Sequence, residues 1–278
     1  RRATVRMVGA LERLLTPAEV GAYLRRLGLP PVLGPPDEGL LRLLQRAHAR
    51  VVPFENLDIE AGVPIRLDLD HLLDKVVRRW RGGFCYELNG LFHALLVNLG
   101  FDAWLVEART RGEDTGGQKG ALGPRFDHTR ILVAVGDRRL LVDVGDGASP
   151  LVPMVLDDDR PVDVGPGVLR LVADGEGWRT DIRRADGGWS RDWWFDDVPQ
   201  PLEAFTDRCR YQQFDPGSHF AQGLICCVPT PRGRITLAKD RLITTVDGQR
   251  TEKEVADVSV PLWEVFGIRW PEGVAAAG

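Results

Sequence analysis

Arg81-Gly82-Gly83-Phe84-Cys85-Tyr86-Glu87-Leu88-Asn89-Gly90 is the stretch that decides the fold. A cysteine stands directly after a Gly-Gly pair, where an apolar helix is predicted to begin. Two glycines permit a sharp turn and leave room beside the sulfur. A helix N-terminus carries partial positive charge and unpaired N–H groups. Together these favour a thiolate, the form of cysteine that attacks carbonyl carbon.

Upstream of this stretch the chain reads as helical. Thr16-Pro17-Ala18-Glu19 has the form of an N-cap followed by proline at the first helical position, with Val20, Leu24 and Leu27 on one face. Gly28 and Pro30-Pro31 end that helix. Leu40, Leu41, Leu44 and Ala47 mark a second. Asp68 or Asp70 caps a third, carrying Leu72, Leu73, Val76 and Val77. The fourth begins near Cys85, holds Leu88, Leu91, Phe92, Leu95 and Leu96, and stops at Gly100.

Downstream the period changes to two. Phe101 to Thr110 alternates as a strand. Residues 112–123 are glycine-rich and polar, and predict a mobile loop. Thr129 to Val135 and Arg139 to Val144 are β-rich runs joined at Gly136-Asp137, a strong hairpin signal. Further strands are predicted at 168–173, 177–184 and 190–195, so the middle reads as an antiparallel sheet or small barrel. From about Leu202 the elements mix. A short helix is predicted from Leu202 to Arg208, with strands at 224–228, 233–237 and 242–246. Thr251 to Val255 and Pro261 to Phe266 suggest one or two closing helices.

The 278 residues can bury a substantial core divided into subdomains, and 44% hydrophobic with 27% charged residues is ordinary for a globular protein. A net charge of −4 argues against nucleic acid as the main partner, and the run Arg78-Arg79-Trp80-Arg81 reads as a solvated helix end. Four cysteines are too few for a disulfide framework, and none pairs with histidine at zinc-ligand spacing, so no metal is expected. No apolar run approaches a membrane span, and none follows the basic N-terminus as in a secretory signal. Met7 reads as a natural start preceded by extra residues. A reducing, cytoplasmic location fits this composition.

His128 is the candidate base for Cys85. If Gly136-Asp137 is a two-residue loop, Arg130 lies opposite Asp143, and His128 lies diagonal to Asp143 on the same face. A carboxylate within Leu141-Val142-Asp143-Val144 demands a partner. It can hold the imidazole's tautomer and stabilise its cation. Cysteine, histidine and aspartate in that order give a papain-like triad of nucleophile, base and orienter. The product is an acyl-cysteine, released by water in a hydrolase or by an amine in an acyltransferase. Cys209, Cys226 and Cys227 read as buried apolar residues. His48, His71 and His93 read as surface or packing residues, and His219 as a substrate contact at most.

The chain resembles the arylamine N-acetyltransferases. The resemblance is carried by Val52-Pro53-Phe54-Glu55-Asn56-Leu57-Asp58-Ile59, by residues 81–92, by His128 with its strand, and by Leu141-Val142-Asp143-Val144-Gly145. Ser218-His219-Phe220-Ala221-Gln222-Gly223-Leu224 and Pro229-Thr230-Pro231-Arg232-Gly233-Arg234 complete it. It implies an α+β fold: a helical domain over residues 1–100 carrying Cys85, a β-barrel over 101–201 carrying His128 and Asp143, and an α/β lid over 202–278. It implies ping-pong transfer from acetyl-CoA to an amine, with acetyl-CoA as co-substrate and no permanently bound cofactor. Phe54 and Phe220 would line the acceptor pocket, and Arg81 and Glu87 would fix the local fold by ion pairing. The family commonly reads Asp-Val-Gly-Phe-Gly where this chain reads Asp143-Val144-Gly145-Asp146-Gly147. Asp146 removes an aromatic surface worth roughly 0.5–1.5 kcal/mol to a stacked ring and favours a cationic or polar acceptor. Amide synthases that close macrolactams share the triad. They are the alternative implied by the resemblance, with an acyl carrier protein as the donor's partner.

Overall fold

The computed structural model of the protein describes residues 13–31, 34–110 and 121–271. Residues 1–12, including Met7, and most of the predicted loop 112–123 lie outside the described residues. The first helix, Pro17–Arg26, starts on a reciprocal cap: Thr16 Oγ1 accepts from the Glu19 N–H and Glu19 accepts from the Thr16 N–H. Asp37 caps the second helix, Glu38–Val51, by accepting from the Leu40 N–H at 2.8 Å. Asp68, not Asp70, caps the third helix, Leu69–Leu72, which continues as a wider π turn over Leu73–Arg78. The fourth helix, Cys85–Asn98, is buried on nearly every side, from Cys85 to Leu96.

Strand β1 is the short segment Phe54–Glu55. The next four strands are β2 (Asp102–Thr110), β3 (His128–Val135), β4 (Arg138–Val142) and β5 (Met154–Val155). They are followed by β6 (Val162–Asp163), β7 (Val168–Asp174), β8 (Gly177–Arg183) and β9 (Trp189–Phe195). Strands β2 to β9 form one antiparallel sheet in the order β5-β4-β3-β2-β9-β8-β7-β6. It curls into a nearly closed barrel around Trp104, Val106, Leu132, Leu141, Leu171 and Phe195. The Leu151 N–H donates to the Val164 carbonyl near the two sheet ends. The outer face of β2, β3 and β4 instead packs on the helices, and Leu105, Ile131, Val133 and Leu140 join the helical core.

The last strands, β10 (Ile225–Thr230), β11 (Gly233–Ala238), β12 (Arg241–Val246) and β13 (Gln249–Glu254), form a second antiparallel sheet whose far edge is β1. Thr251–Val255, read from the sequence as part of a closing helix, therefore belongs largely to a strand. Every residue of β13 is exposed, and β12 is its one strand partner among the described residues. The helix Ser259–Glu264 closes that unit over Leu57, Leu224, Leu237 and Phe266. The helix Thr206–Phe214 packs Cys209 into the helical core.

His48 lies fully buried between Tyr23 and Phe92, with neither ring nitrogen hydrogen-bonded among the described residues. Burial pushes its pKa down to about 3. The unfolded chain thus takes up a proton below about 6.5 that the folded chain refuses, so stability is present above that pH and lost as pH falls. Between pH 7 and pH 5 this one group should remove about 2 kcal/mol. Burial lowers His93 to about 4, adding in the same sense. Urea unfolding of His48→Phe should show a correspondingly smaller loss on acidification; an unchanged pH dependence would refute the assignment.

Candidate active site

The start of the Cys85 helix is fixed from behind by buried ion pairs. Lys75 Nζ lies 2.8 Å from both Asp58 and Glu87, and Arg81 binds Glu55 and Asp58 at 2.8 and 2.9 Å. Glu87 also accepts the Phe84 N–H at 3.1 Å, closing the first turn ahead of the cysteine. Three carboxylates face two cations in this cluster. Burial, with the charges of Asp58 and Glu55, therefore pushes Glu87 up to about 7 against the pull of Lys75. Arg81 and Glu87 thus serve the local fold by ion pairing.

The Gly-Gly pair works by close approach rather than by an unusual turn. Neither glycine has positive φ. A Cβ on Gly82 would sit 2.0 Å from the Pro53 carbonyl oxygen, and one on Gly83 would sit 2.7 Å from Glu87 Oε2. The Glu55 N–H donates to the Gly83 carbonyl, tying β1 to the cysteine's approach.

The hairpin forms as its turn residues require. Val135 pairs with Arg138 and Ile131 with Val142, leaving Gly136-Asp137 as the loop, with Gly136 at φ 64°. Asp143 follows directly after β4, and its Oδ2 accepts from His128 Nε2 at 2.7 Å. Oδ2 also accepts from Arg130 Nε at 3.1 Å, while Oδ1 accepts from Asn89 Nδ2 and from the Gly145 N–H, each at 2.9 Å. Burial alone would raise the Asp143 pKa. The charge and hydrogen bond of His128, with Arg130 and Asn89, hold it instead well below the usual carboxylate range. Asp146 comes close too: His128, Asp143 and Asp146 bring one ligand-type atom each within 4.8 Å of one another. Both Asp143 oxygens are already taken by N–H donors, the arrangement of a hydrogen-bonded anion.

Cys85 and His128 open into one cavity of about 600 Å³, with Phe54, Asp146 and Phe220 on its walls. Gly145 packs so tightly on the cysteine that a Cβ there would lie 2.8 Å from Cys85 Cα. The loop after Asp143 is thereby seated on the start of the Cys85 helix. His128 stacks on Trp193 with ring centroids 4.7 Å apart. Its Nε2 is held by Asp143, which leaves Nδ1 as the nitrogen available to the thiol. Asn56 Nδ2 donates to the Phe220 carbonyl at 2.9 Å, and Phe220 packs against Phe54 and Phe84. His219 also lines the cavity, as do Asp127 and Arg208, which bind each other.

The helix start does not by itself yield a thiolate. Burial raises the Cys85 pKa well above the ordinary thiol value, and the charges of Asp143 and Asp127 act in the same direction. A hydrogen bond from the Tyr86 N–H opposes them without overcoming them. A reactive thiolate here needs a proton acceptor, and His128 lines the same cavity.

Sequence reasoning placed Arg130 opposite Asp143 only as register and did not single out Asn89, Trp193 or Asp192, which also lines the cavity. Asn89 lies one turn beyond Cys85, and that i, i+4 spacing was the available signal. Asp192 and Trp193 arrive from β9, about fifty residues beyond the hairpin, with no local signal.

Comparisons with known proteins match the chain over most of its length. A family model described as N-acetyltransferase matches residues 39–272. The arylamine N-acetyltransferase of Mycolicibacterium smegmatis is 35% identical over 226 residues, which is 79% of each chain. The solved structure of the Salmonella typhimurium arylamine N-acetyltransferase superposes with a TM-score of 0.83 at 29% identity, covering 92% of each chain. The Mycobacterium marinum arylamine N-acetyltransferase in complex with CoA gives a TM-score of 0.80 at 28% identity, over 90% of this chain and 92% of that one.

Proposed function

The chain belongs to the arylamine N-acetyltransferase family, and from that premise we propose that Cys85, His128 and Asp143 carry an acetyl group from acetyl-CoA to an amine. The observation that supports this most is the shared cavity of Cys85 and His128, with Asp143 hydrogen-bonded to the imidazole from behind.

His128 takes the Cys85 proton, and Asp143 stabilises the resulting imidazolium. The thiolate attacks the thioester carbonyl of acetyl-CoA. Collapse of the tetrahedral adduct breaks the C–S bond to CoA, which leaves with a proton from the imidazolium. The amine, bound next, attacks the acetyl-cysteine. His128 accepts the amine's proton and returns it to the Cys85 sulfur as the amide departs. Intact-mass measurement after mixing with acetyl-CoA should show one acetyl adduct, absent in Cys85→Ala. No adduct on the wild type would overturn the reading.

Asp146 refines the acceptor. Its side chain accepts the Ala148 N–H at 2.8 Å, and its backbone is pinned to Ser149, so the carboxylate is held in place. No cation pairs with it among the described residues. A fixed negative charge beside the acyl-cysteine favours acceptors bearing a second, positive group. For a trimethylammonium-substituted aniline against its tert-butyl isostere, Asp146→Asn should lower the kcat/KM ratio about tenfold, or about 1.4 kcal/mol. An unchanged ratio would remove Asp146 from acceptor selection.

The relatives named above are arylamine N-acetyltransferases, and this favours amine acetylation over the macrolactam and hydrolase alternatives. No helix among the described residues is long and apolar enough to cross a membrane. All four cysteines are free, and a thiol nucleophile suits a reducing compartment such as the cytoplasm.

A further inference from the structure

We propose that Arg130 and Asp192 form a charge pair that positions the Asp143 carboxylate and tunes how readily Cys85 gives up its proton. This rests on Cys85 as the nucleophile.

Arg130 shares Asp143 Oδ2 with His128: Nε donates at 3.1 Å and the imidazole bonds at 2.7 Å. Its Nη1 donates to Thr180 Oγ1 at 3.3 Å, and its Nη2 lies 3.8 Å from Asp192 Oδ2. Thr180 Oγ1 in turn donates to Asp192 at 3.2 Å. The guanidinium sits against the Phe195 ring, 5.6 Å from its centroid, almost fully buried inside the barrel. A cation in that position is costly unless paired, and an apolar side chain would fill a barrel interior more cheaply. What the arginine adds is charge in a row of alternating sign: Asp192, Arg130, Asp143, then His128.

Among the described residues, the other titratable groups facing the site include Asp146, Asp127, Arg191, Arg208, His219 and the Cys209 thiol. Asp146 lies beside His128, and Asp127 is bound by Arg208. Arg191 stands exposed on the cavity wall. Burial holds the Asp192 carboxyl up to about 6, with Asp146 adding to the rise and Arg130 opposing it. Asp192 therefore compensates Arg130 most fully above that pH.

The two charges have opposite consequences at the sulfur. A nearby cation favours the thiolate, so removing Arg130 raises the thiol's apparent pKa. Removing the Asp192 anion lowers it. A merely structural role for either residue would not produce shifts of opposite sign.

The test is the pH dependence of Cys85 alkylation by iodoacetamide, followed by peptide mass, in wild type, Arg130→Lys, Arg130→Met and Asp192→Asn. We expect the midpoint to rise by about one unit in Arg130→Met, to stay within a few tenths in Arg130→Lys, and to fall in Asp192→Asn. Shifts of the same sign, or no shift, would overturn the proposal. If Arg130→Met does not fold, an unmoved midpoint in Asp192→Asn overturns it alone. Acetyl-adduct formation from acetyl-CoA is measured in parallel. A wild type that alkylates but never acetylates refutes the transferase reading and leaves the charge pair standing. Normal acetylation with unmoved midpoints refutes only the charge pair.

Discussion

Asp143→Asn is expected to slow acetylation of the enzyme by acetyl-CoA by about 10³–10⁴-fold, the size found when a triad aspartate is made neutral. The reason lies in what surrounds the carboxylate. Four N–H donors converge on Asp143: Asn89, the Gly145 backbone, His128 and Arg130. An amide has one acceptor oxygen and a nitrogen that must donate. It would face donors on both sides, and its own N–H would press the imidazole into the wrong tautomer. The imidazolium formed when Cys85 loses its proton would then lie near Arg130 with no anion between them. At about 1.4 kcal/mol per tenfold, the predicted loss is about 4–5.5 kcal/mol of transition-state stabilisation. Single-turnover acetylation, read by intact mass, checks it while circular dichroism reports on the fold. A variant within tenfold of wild type would show that His128 works without its carboxylate.

Lys75→Met should have the largest effect on stability. Lys75 has no exposed surface, and its ammonium touches two buried carboxylates. Removing it leaves Glu55, Asp58 and Glu87 facing Arg81 alone. Breaking a buried pair from one side costs about 3–5 kcal/mol, a large part of the 5–15 kcal/mol that holds an average domain folded. Urea unfolding at neutral pH should show that loss. The deficit should also depend on pH in a definite direction. Glu87 has a folded-state pKa already raised to about 7, so the folded protein holds a proton that the unfolded chain releases above about 4.5. Stability from this group therefore falls as pH rises, and without Lys75 the fall is steeper. The variant should recover part of its loss near pH 5.5. A deficit under 1 kcal/mol, or one that grows on acidification, would contradict this account. Because Glu87 also caps the turn before Cys85, a folded variant should react slowly with iodoacetamide.

The hairpin was legible because a two-residue glycine turn fixes register, and register alone sets Arg130 against Asp143 and His128 on its diagonal. The helices before residue 100 were legible from caps and apolar spacing. Gln249–Glu254 was not: a charged edge strand has no buried face to print a pattern of two, and pairing with β12 holds it extended. The role of Gly82 and Gly83 was also misjudged, because what crowds them is Pro53 and Glu87.

The local sequence determined which residues could do the chemistry: a cysteine at a helix start, a histidine on a strand, a carboxylate at the end of its hairpin partner. These are short-range matters of turn geometry, capping and side-chain alternation. Tertiary structure decided the energetics. Burial pushes the thiol's proton affinity up, Arg130 and Asn89 divide the carboxylate with the imidazole, and Trp193 comes from β9 to lie against the ring. Electrostatic energy depends on distance and on exclusion of water, and neither is written along the chain until distant segments close around one cavity.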